Sequence, residues 1–332
     1  MLKPYRISLS VASRLGTPLA ADTLWGHIAW GVRYAHGAAA LEQWLARYDA
    51  GDPPLVLSDP LPAGMLPRPV LPPAPPQAAR PATGEWDARK DLDGARWIPL
   101  EAWREAAGRL DGAALATALK THDHLVRAPS AITVSTLHAP VNRLTGSTAG
   151  ETGGLLHTLE DTFFDAGRGD DCATRFDVWA LSPDSVADVQ ALFEVGLSGG
   201  YGRDASSGAG DVRIETCKEE SLPSVAGANA AMLLGPATPR PTDPARGFFD
   251  FVVRAGRLGG EFAVGATPDG STERQKRPVV CLSRGTVLVG DCPGGFVGGL
   301  VAGVHPYAGI RHYAMAPVLQ CRLTDAAMKE AR

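Results

Sequence analysis

The sequence lacks the patterns that would assign a function directly. Its five cysteines among 332 residues are odd in number and widely spaced, with no CxxC pair, so neither a disulfide framework nor a metal site is predicted and a reducing compartment is expected. No signal peptide and no run of about 18 apolar residues opens the chain, which predicts a cytoplasmic protein with no membrane contact. A net charge of −4 argues against a protein that binds polyanions with its whole surface.

Acidic residues are scarce in two windows, although the chain has 36 of them. Residues 124–150 contain no acid, and residues 274–324 contain only Asp291. The basic residues of the second window are Arg274, Lys276, Arg277, Arg284, Arg311 and Arg322. A window without acids suits a polyanion. The cluster at 274–277 fits RNA, an acidic patch of a partner protein or a solvated turn equally well on charge alone.

Glycine is concentrated in residues 199–210, where five glycines and two serines lie between an amphipathic helix and a strand. Glycine permits positive φ and a close approach of the backbone, so successive amides could converge on an anion. Arg203 adds a forked donor for phosphate, and Tyr201 could stack on a base. A P-loop is excluded because the required lysine is missing, and the dinucleotide fingerprint is excluded because the helix precedes the loop. A plain turn remains open.

The segments around this glycine-rich loop have clear periodicity. Tyr5 to Val11 alternates apolar and polar residues as a half-buried strand, and the next apolar period predicts a helix capped by Asp22. Thr174 to Leu181 is a second strand, and Ser182 is predicted to cap a helix that buries Val186, Val189, Phe193 and Leu197. A strand at Val212 then follows the loop. Strand, helix, loop and strand form half of a ferredoxin-like unit.

Two insertions interrupt this pattern. Residues 53–93 are rich in proline, and the segment is predicted to run as extended chain across a surface, with mobile residues at 80–93. Residues 124–157 hold the strand Ile132 to Leu137 and a return near His157, which predicts a projecting hairpin or an ordinary polar loop. Asp170 and Asp171 are interpreted as a turn rather than a magnesium site.

Four motifs occur in a fixed order along most of the chain: residues 19–26, residues 57–69 with their Ser-Asp-Pro and Leu-Pro-Arg-Pro sequences, residues 142–146 and residues 198–210. Together they resemble the RAMP proteins of type III-A CRISPR effectors, in particular the subunit-four family of the Csm complex. Members of that family cap the 5′ end of the guide RNA. The loop departs from the family pattern because Asp204 follows Arg203 and an alanine, Ala209, replaces an aromatic residue.

The resemblance implies an α+β fold with two ferredoxin-like (RRM-like) domains of antiparallel sheet with helices on one face. The first is expected at 1–221, with the insertions 53–93, 124–157 and 199–210, and the second, β-rich, at 222–332. It also implies a non-catalytic role without cofactor or metal. The implied partners are the crRNA 5′ handle, the large polymerase-like Csm subunit one, and the backbone RAMP, Csm subunit three.

The residues predicted to contact RNA belong to the glycine-rich loop and to the acid-free window. They are Gly199, Gly200, Tyr201, Gly202, Arg203, Ser206, Ser207, Gly208, Gly210, Arg127, Ser135, His138, Asn142, Arg143 and Thr145. Two other functions stay open. One is a guide-processing ribonuclease with His138 or His27 as general base, and the other is an assembly subunit that touches only protein.

Overall fold

The computed structural model of the chain describes residues 1–72, 94–123, 131–141, 143–150, 153–154, 156–164 and 174–331. Within these ranges the α-helices are α1 (Ala21–His36), α2 (Ala38–Asp49), α3 (Leu100–Ala106), α4 (Gly112–Thr121), α5 (Val186–Leu197) and α6 (Asp325–Glu330). The strands of the first half are β1 (Lys3–Val11), β2 (Val56–Leu57), β3 (Leu61–Pro62), β4 (Met65–Pro67), β5 (Trp97–Pro99), β6 (Ala131–His138), β7 (Ala149–Gly150), β8 (Gly153–Gly154) and β9 (His157–Phe164). Those of the second half are β10 (Arg175–Ser182), β11 (Val212–Glu219), β12 (Ala230–Leu233), β13 (Gly247–Phe248), β14 (Phe251–Arg254), β15 (Val279–Leu282), β16 (Val287–Val289), β17 (Phe296–Val301) and β18 (His312–Cys321).

The first sheet is built around β1, whose alternating sequence buries Tyr5, Ile7 and Leu9 completely. Its antiparallel order is β11, β1, β10 and β2, and β3 also pairs with β10. Helix α1 follows β1, and α5 connects β10 to β11. With the inserted elements left aside, β1, α1, β2, β10, α5 and β11 follow the order strand, helix, strand, strand, helix, strand; the sequence predicted the half of it from β10 to β11.

The proline-rich segment is buried, and the prediction that it lies across a surface is wrong for its described part. Residues 53–62 are all buried, including Ser58 at 0% and Asp59 at 3% exposure. Strands β2 and β3 add to the edge of the first sheet beside β10, which is where proline is tolerated because the outer side needs no donor. The segment therefore fills the space between the two sheets; residues 73–93 lie outside the described residues.

The second sheet has the order β13, β16, β12, β18 and β17, and all its pairs are antiparallel. The second domain was expected to cover one face of this sheet with its own helices, and the structure differs. Among the described residues after 221, the α-helical part is α6 alone, with six residues. One face of the sheet packs instead against α3 and α4, where Trp103 and Leu119 meet Met232 and Leu319 in one core. Helices from the first half of the chain thus cover one face of the second sheet.

The predicted projection is an antiparallel hairpin of β6 and β9, with eight residue pairs from Ala131 with Phe164 to His138 with His157. Every residue of β6 is exposed. The return strand begins at His157 rather than ending there, so the projection spans 131–164 instead of 124–157. No helix in the described ranges is long and apolar enough to cross a bilayer.

Two predicted helix caps are wrong. Helix α1 begins after Ala20, and the amide of Ala21 donates to the Oδ1 of Asp59 at 2.9 Å. The carboxylate of Asp59, and not that of Asp22, therefore accepts from an amide at the start of the helix. Helix α5 begins three residues later than expected, with Ser185 and Asp188 forming a capping box. The hydroxyl of Ser182 instead donates to the carbonyl of Pro54.

Candidate nucleic-acid interface

The glycine-rich loop at residues 199–210 connects α5 to β11 as predicted, and its glycines have a structural reason. Gly200, Gly202, Gly208 and Gly210 all have positive φ. A Cβ on Gly202 would lie 2.6 Å from the Cβ of Thr17, and a Cβ on Gly210 would overlap the carbonyl of Tyr201. The loop is therefore folded tightly against residues 12–17, which connect β1 to α1.

Most amides of the loop already donate to protein acceptors. Gly202 donates to the Nε2 of His27 at 2.9 Å, and Arg203 donates to the Oγ1 of Thr17 at 2.9 Å. The amides of Gly200, Tyr201, Ser207, Gly208, Ala209 and Gly210 donate to backbone carbonyls. The prediction that successive amides form a nest for one anion is wrong for these residues.

Tyr201 is part of the core. Its side chain is 0% exposed, its hydroxyl donates to the carbonyl of Pro18 at 2.9 Å, and the amide of Ala20 donates to it at 3.0 Å. Burial raises the pKa of this hydroxyl, which stays protonated. The prediction that Tyr201 stacks on a base is therefore wrong, because both faces of the ring are covered.

Arg203 is held by protein acceptors as well. Its guanidinium donates to the carbonyls of Gly16 and Glu160 at 3.2 and 2.8 Å, and it pairs with Asp161 and Asp204 at 3.0 Å each. Asp161 also pairs with Arg14 at 2.7 Å. The guanidinium of Arg203, which was expected to bind phosphate, instead fixes the loop on β9.

Residues 12–17 hold the glycine-rich loop on one side and the hairpin on the other. The amide of Gly210 donates to the carbonyl of Arg14 at 2.8 Å. Leu15 and Thr162 exchange two hydrogen bonds, at 2.8 and 2.9 Å. The Arg14, Asp161 and Arg203 cluster closes the same junction. The base of the hairpin is therefore fixed beside the glycine-rich loop, whereas His138 pairs with His157, five residues along β9 from Thr162, and residues 143–145 lie beyond that pair.

The solvent-facing parts of the loop and of the hairpin are polar. In the loop, Gly199, Ser206, Ser207 and Gly208 are exposed. On the hairpin, Ser135, His138, Arg143 and Thr145 are exposed. The imidazole of His138 lies beside that of His157, with 5.9 Å between ring centroids. Arg127 and Asn142 lie outside the described residues, as do Asp170 and Asp171.

His27 supports the loop in a way that the sequence did not indicate. Its Nε2 accepts the Gly202 amide, and its ring lies 5.2 Å from that of Tyr201. Burial lowers the pKa of His27, which favours the neutral ring that this acceptor role requires. No spacing rule connects His27 to an amide 175 positions away, so no local signal could have found this contact.

The side chains of the basic cluster at 274–277 point in two directions, some to solvent and one to the interior. Arg274 and Arg277 are exposed, whereas the Nζ of Lys276 lies 3.1 Å from the Nδ1 of the buried His312. Burial lowers the pKa of Lys276, and the nearby Asp22 opposes that effect. Lys276 is therefore turned away from a ligand at the surface.

Comparison with solved structures finds the same fold over nearly the whole chain. A chain of a Csm1-Csm4 cassette in complex with pppApA has a TM-score of 0.54 at 16% identity, and the match covers 97% of this chain and 99% of that chain. A chain of the same cassette in complex with AMPPNP gives 0.52 at 15% identity, with the same coverage. A chain of a Csm3-Csm4 subcomplex of a type III-A CRISPR-Cas interference complex gives 0.50 at 12% identity, covering 95% and 98%. No family model and no curated protein matches the sequence.

Proposed function

We propose that this chain is the RNA-capping subunit of a cytoplasmic type III-A CRISPR interference complex, in which it holds the 5′ repeat-derived handle of the crRNA without cleaving it. The same subunit joins the large polymerase-like protein to the backbone filament. The observation that carries the proposal is the whole-chain fold likeness, which covers 97% of this chain and 99% of a chain from a Csm1-Csm4 cassette.

The exposed parts of the loop and the hairpin support a binding role for single-stranded RNA. The hydroxyls of Ser206 and Thr145 and the guanidinium of Arg143 face solvent on these two elements, and the exposed Ser207 hydroxyl donates to the carbonyl of Asp204 at 3.0 Å. Such groups donate to phosphate and ribose oxygens, which position a strand without reading its sequence. Because Arg203 and most loop amides, including that of Gly208, are occupied within the protein, we assign RNA contact to Ser206, Thr145 and Arg143 and to the exposed Gly199.

The partner roles rest on the same likeness. Chains with this fold were crystallised with Csm1 in one assembly and with Csm3 in another. We propose that the corresponding two proteins flank this chain in its own complex.

The binding proposal is tested by placing acids on the exposed part of the loop. A Ser206→Glu, Ser207→Glu double variant adds two charges that repel phosphate without touching the core. We expect about tenfold weaker binding of handle-containing crRNA, measured by filter binding with the purified full chain. Arg143→Glu is expected to weaken binding and to lower the slope of log affinity against log salt by about one.

The control is Ser224→Glu, which changes an exposed serine between β11 and β12, outside both elements. This variant should bind the handle as the unchanged chain does. Equal binding by the loop variant, the hairpin variant and the control would refute the assignment of RNA to the loop and the hairpin.

A ribonuclease is the second candidate, and the observation in its favour is the pairing of His138 with His157 on the exposed hairpin. Two imidazoles in this arrangement could supply a general base and a general acid for metal-independent cleavage of RNA. Incubation of the purified complex with precursor guide RNA separates the two candidates. We expect no cleavage; cleavage that His138→Ala or His157→Ala abolishes would replace the binding proposal with the enzyme.

A further inference from the structure

A two-stranded ribbon lies beside the second sheet. Strands β14 and β15 pair from Phe251 with Leu282 to Arg254 with Val279. Further hydrogen bonds extend the pairing, since Lys276 donates to the carbonyl of Gly256 and Leu258 to that of Arg274, both at 2.8 Å. We call residues 251–258 and 274–282 the outer ribbon. It is separate from the loop and hairpin described above.

The inner face of the outer ribbon is fixed to the rest of the protein. Val279 and Cys281 are 7% and 1% exposed, respectively. Arg254 forms a two-pronged ion pair with Asp22 of α1, with its Nε 3.0 Å from the Oδ2. The ribbon is thus held in place before any partner binds, which reduces the entropy cost of binding.

The outer face of the ribbon is apolar and exposed. Phe251, Val253 and Val280 are 66%, 61% and 57% exposed, and Val253 and Val280 are directly paired across the two strands. Phe251 also contacts Phe249, with ring centroids 5.5 Å apart. A contiguous apolar patch of this kind marks an interaction surface.

Strand β14 is also an edge strand. In the described part of the chain it pairs only with β15, while the far side of β15 is bridged to Ala237. Edge strands are normally protected by charge, but β14 presents Phe251 and Val253 instead. An exposed edge with alternating apolar side chains fits the addition of an extended strand.

Charge at one end of the ribbon indicates the chemistry of that strand. Arg257 follows Phe251 and Val253 on the exposed side, and Arg274 and Arg277 lie on the paired segment. None of these three arginines forms an ion pair with a described residue. Glu273 lies near them, and Asp250 lies at the other end, so the arginine end carries a net positive charge.

We infer that the outer ribbon docks an extended strand of another protein, which is apolar at alternate positions and acidic where it meets Arg257. Protein fits this surface better than RNA, because Phe251 is the one ring of the patch, whereas the paired Val253 and Val280 at its centre offer neither stacking nor a donor for phosphate. The added strand pairs with the edge of β14, and its acidic residues neutralise the three arginines.

The experiment places the photocrosslinker p-benzoylphenylalanine at position 253 of the full-length chain, expressed in its native cells. The expected result is one crosslinked protein, with the adduct mapped to a segment of alternating apolar residues that ends in acids. Arg257→Glu should lower the yield about tenfold, and replacing the mapped acid with lysine should restore it. The controls are crosslinker at the exposed Val264, which should give no such adduct, and Lys329→Glu, which should leave the yield unchanged.

Four results would overturn the inference: a crosslink to RNA, to a second copy of this chain, within this chain, or to no partner. Because Val253 is 61% exposed and Arg257 is exposed, we expect each variant to fold, and an unchanged melting temperature checks this. The handle-binding assay is a separate readout, so a failed docking site would leave the proposed RNA function standing.

Discussion

At the scale of single residues, the charged groups in this protein fix its parts relative to one another. Asp161 is the clearest case, because its two carboxylate oxygens pair with Arg14 and Arg203 at 2.7 and 3.0 Å and its side chain is 12% exposed. Charge-assisted hydrogen bonds in such a setting contribute about 1.5–3 kcal/mol each. The cluster therefore stabilises the orientation of the hairpin on the glycine-rich loop.

We expect Asp161→Asn to loosen the hairpin without unfolding the protein. The loss of the carboxylate charge weakens both ion pairs, so amides of β9 should exchange hydrogen about tenfold faster, while amides of β10 should be unchanged. Hydrogen exchange with mass spectrometry measures both. Asp211→Asn is the matched control because Asp211 is more exposed and, among the described residues, its carboxylate pairs only with Arg213. Equal exchange in the two variants would mean that Asp161 does not hold the hairpin.

A buried histidine predicts how the stability of the protein depends on pH. His312 is 1% exposed, faces Lys276, Asp22 and Arg254, and its Nε2 has no hydrogen-bond partner among the described residues. Burial and the charge of Lys276 lower its pKa from 6.5 to about 4. Between these values the unfolded chain binds a proton that the folded chain does not, so the free energy of unfolding falls on acidification by up to about 3 kcal/mol.

Urea unfolding at pH 7, 6, 5 and 4.5 tests this, with His312→Asn as the variant that cannot titrate. The difference between the two stability curves should shrink or reverse as the pH falls. Asp22, whose pKa is lowered because Arg254 outweighs the effect of burial, loses its contribution only at still lower pH. Parallel curves would exclude His312 as the source of the slope.

At the scale of elements, the glycine-rich loop has one tightly packed conformation. Gly210 and Gly208 both have positive φ, but a Cβ on Gly210 would overlap the Tyr201 carbonyl, whereas nothing lies within 4 Å of a Cβ on Gly208. We expect Gly208→Ala to cost about 1 kcal/mol from backbone conformation alone and Gly210→Ala to cost distinctly more. Urea midpoints measure the difference, and equal costs would contradict the tight packing of the loop.

The same elements show what the sequence could predict. The sequence predicted β1 and β10 to within two residues at each end, and the start of β11, because alternation and branched residues are local signals. The hairpin was also predicted, and the structure confirms it with a shifted return strand. The role of Tyr201 was missed because the glycine-rich composition of residues 199–210 is typical of an exposed loop. Its burial depends on Pro18 and His27, which are about 180 residues away in sequence, and only tertiary packing brings them together.

At the scale of the whole molecule, the two sheets share their cores. Tyr313 and Met315 of the second sheet belong to the core of the first, and the hydroxyl of Tyr313 donates to the carbonyl of Leu57 at 3.1 Å. Asp59 and Arg284 form a further ion pair between the two halves at 3.0 Å. Burial raises the pKa of Asp59, and Arg284 opposes that effect. The boundary predicted at residue 221 separates the strands of the two sheets in sequence, but these contacts join them.

This sharing predicts that the fragment 1–221 does not fold alone. Without the second sheet, α3 and α4 would expose Trp103 and Leu119, and the first core would lose Tyr313. We expect the full chain to unfold in one cooperative transition and the fragment to show none, by calorimetry and by circular dichroism. Co-expression of 222–332 should restore the folded state, which controls for the cut itself. A fragment with its own sharp transition would show that the first half is an independent domain. It would also show that α3 and α4 do not need the second sheet in order to fold.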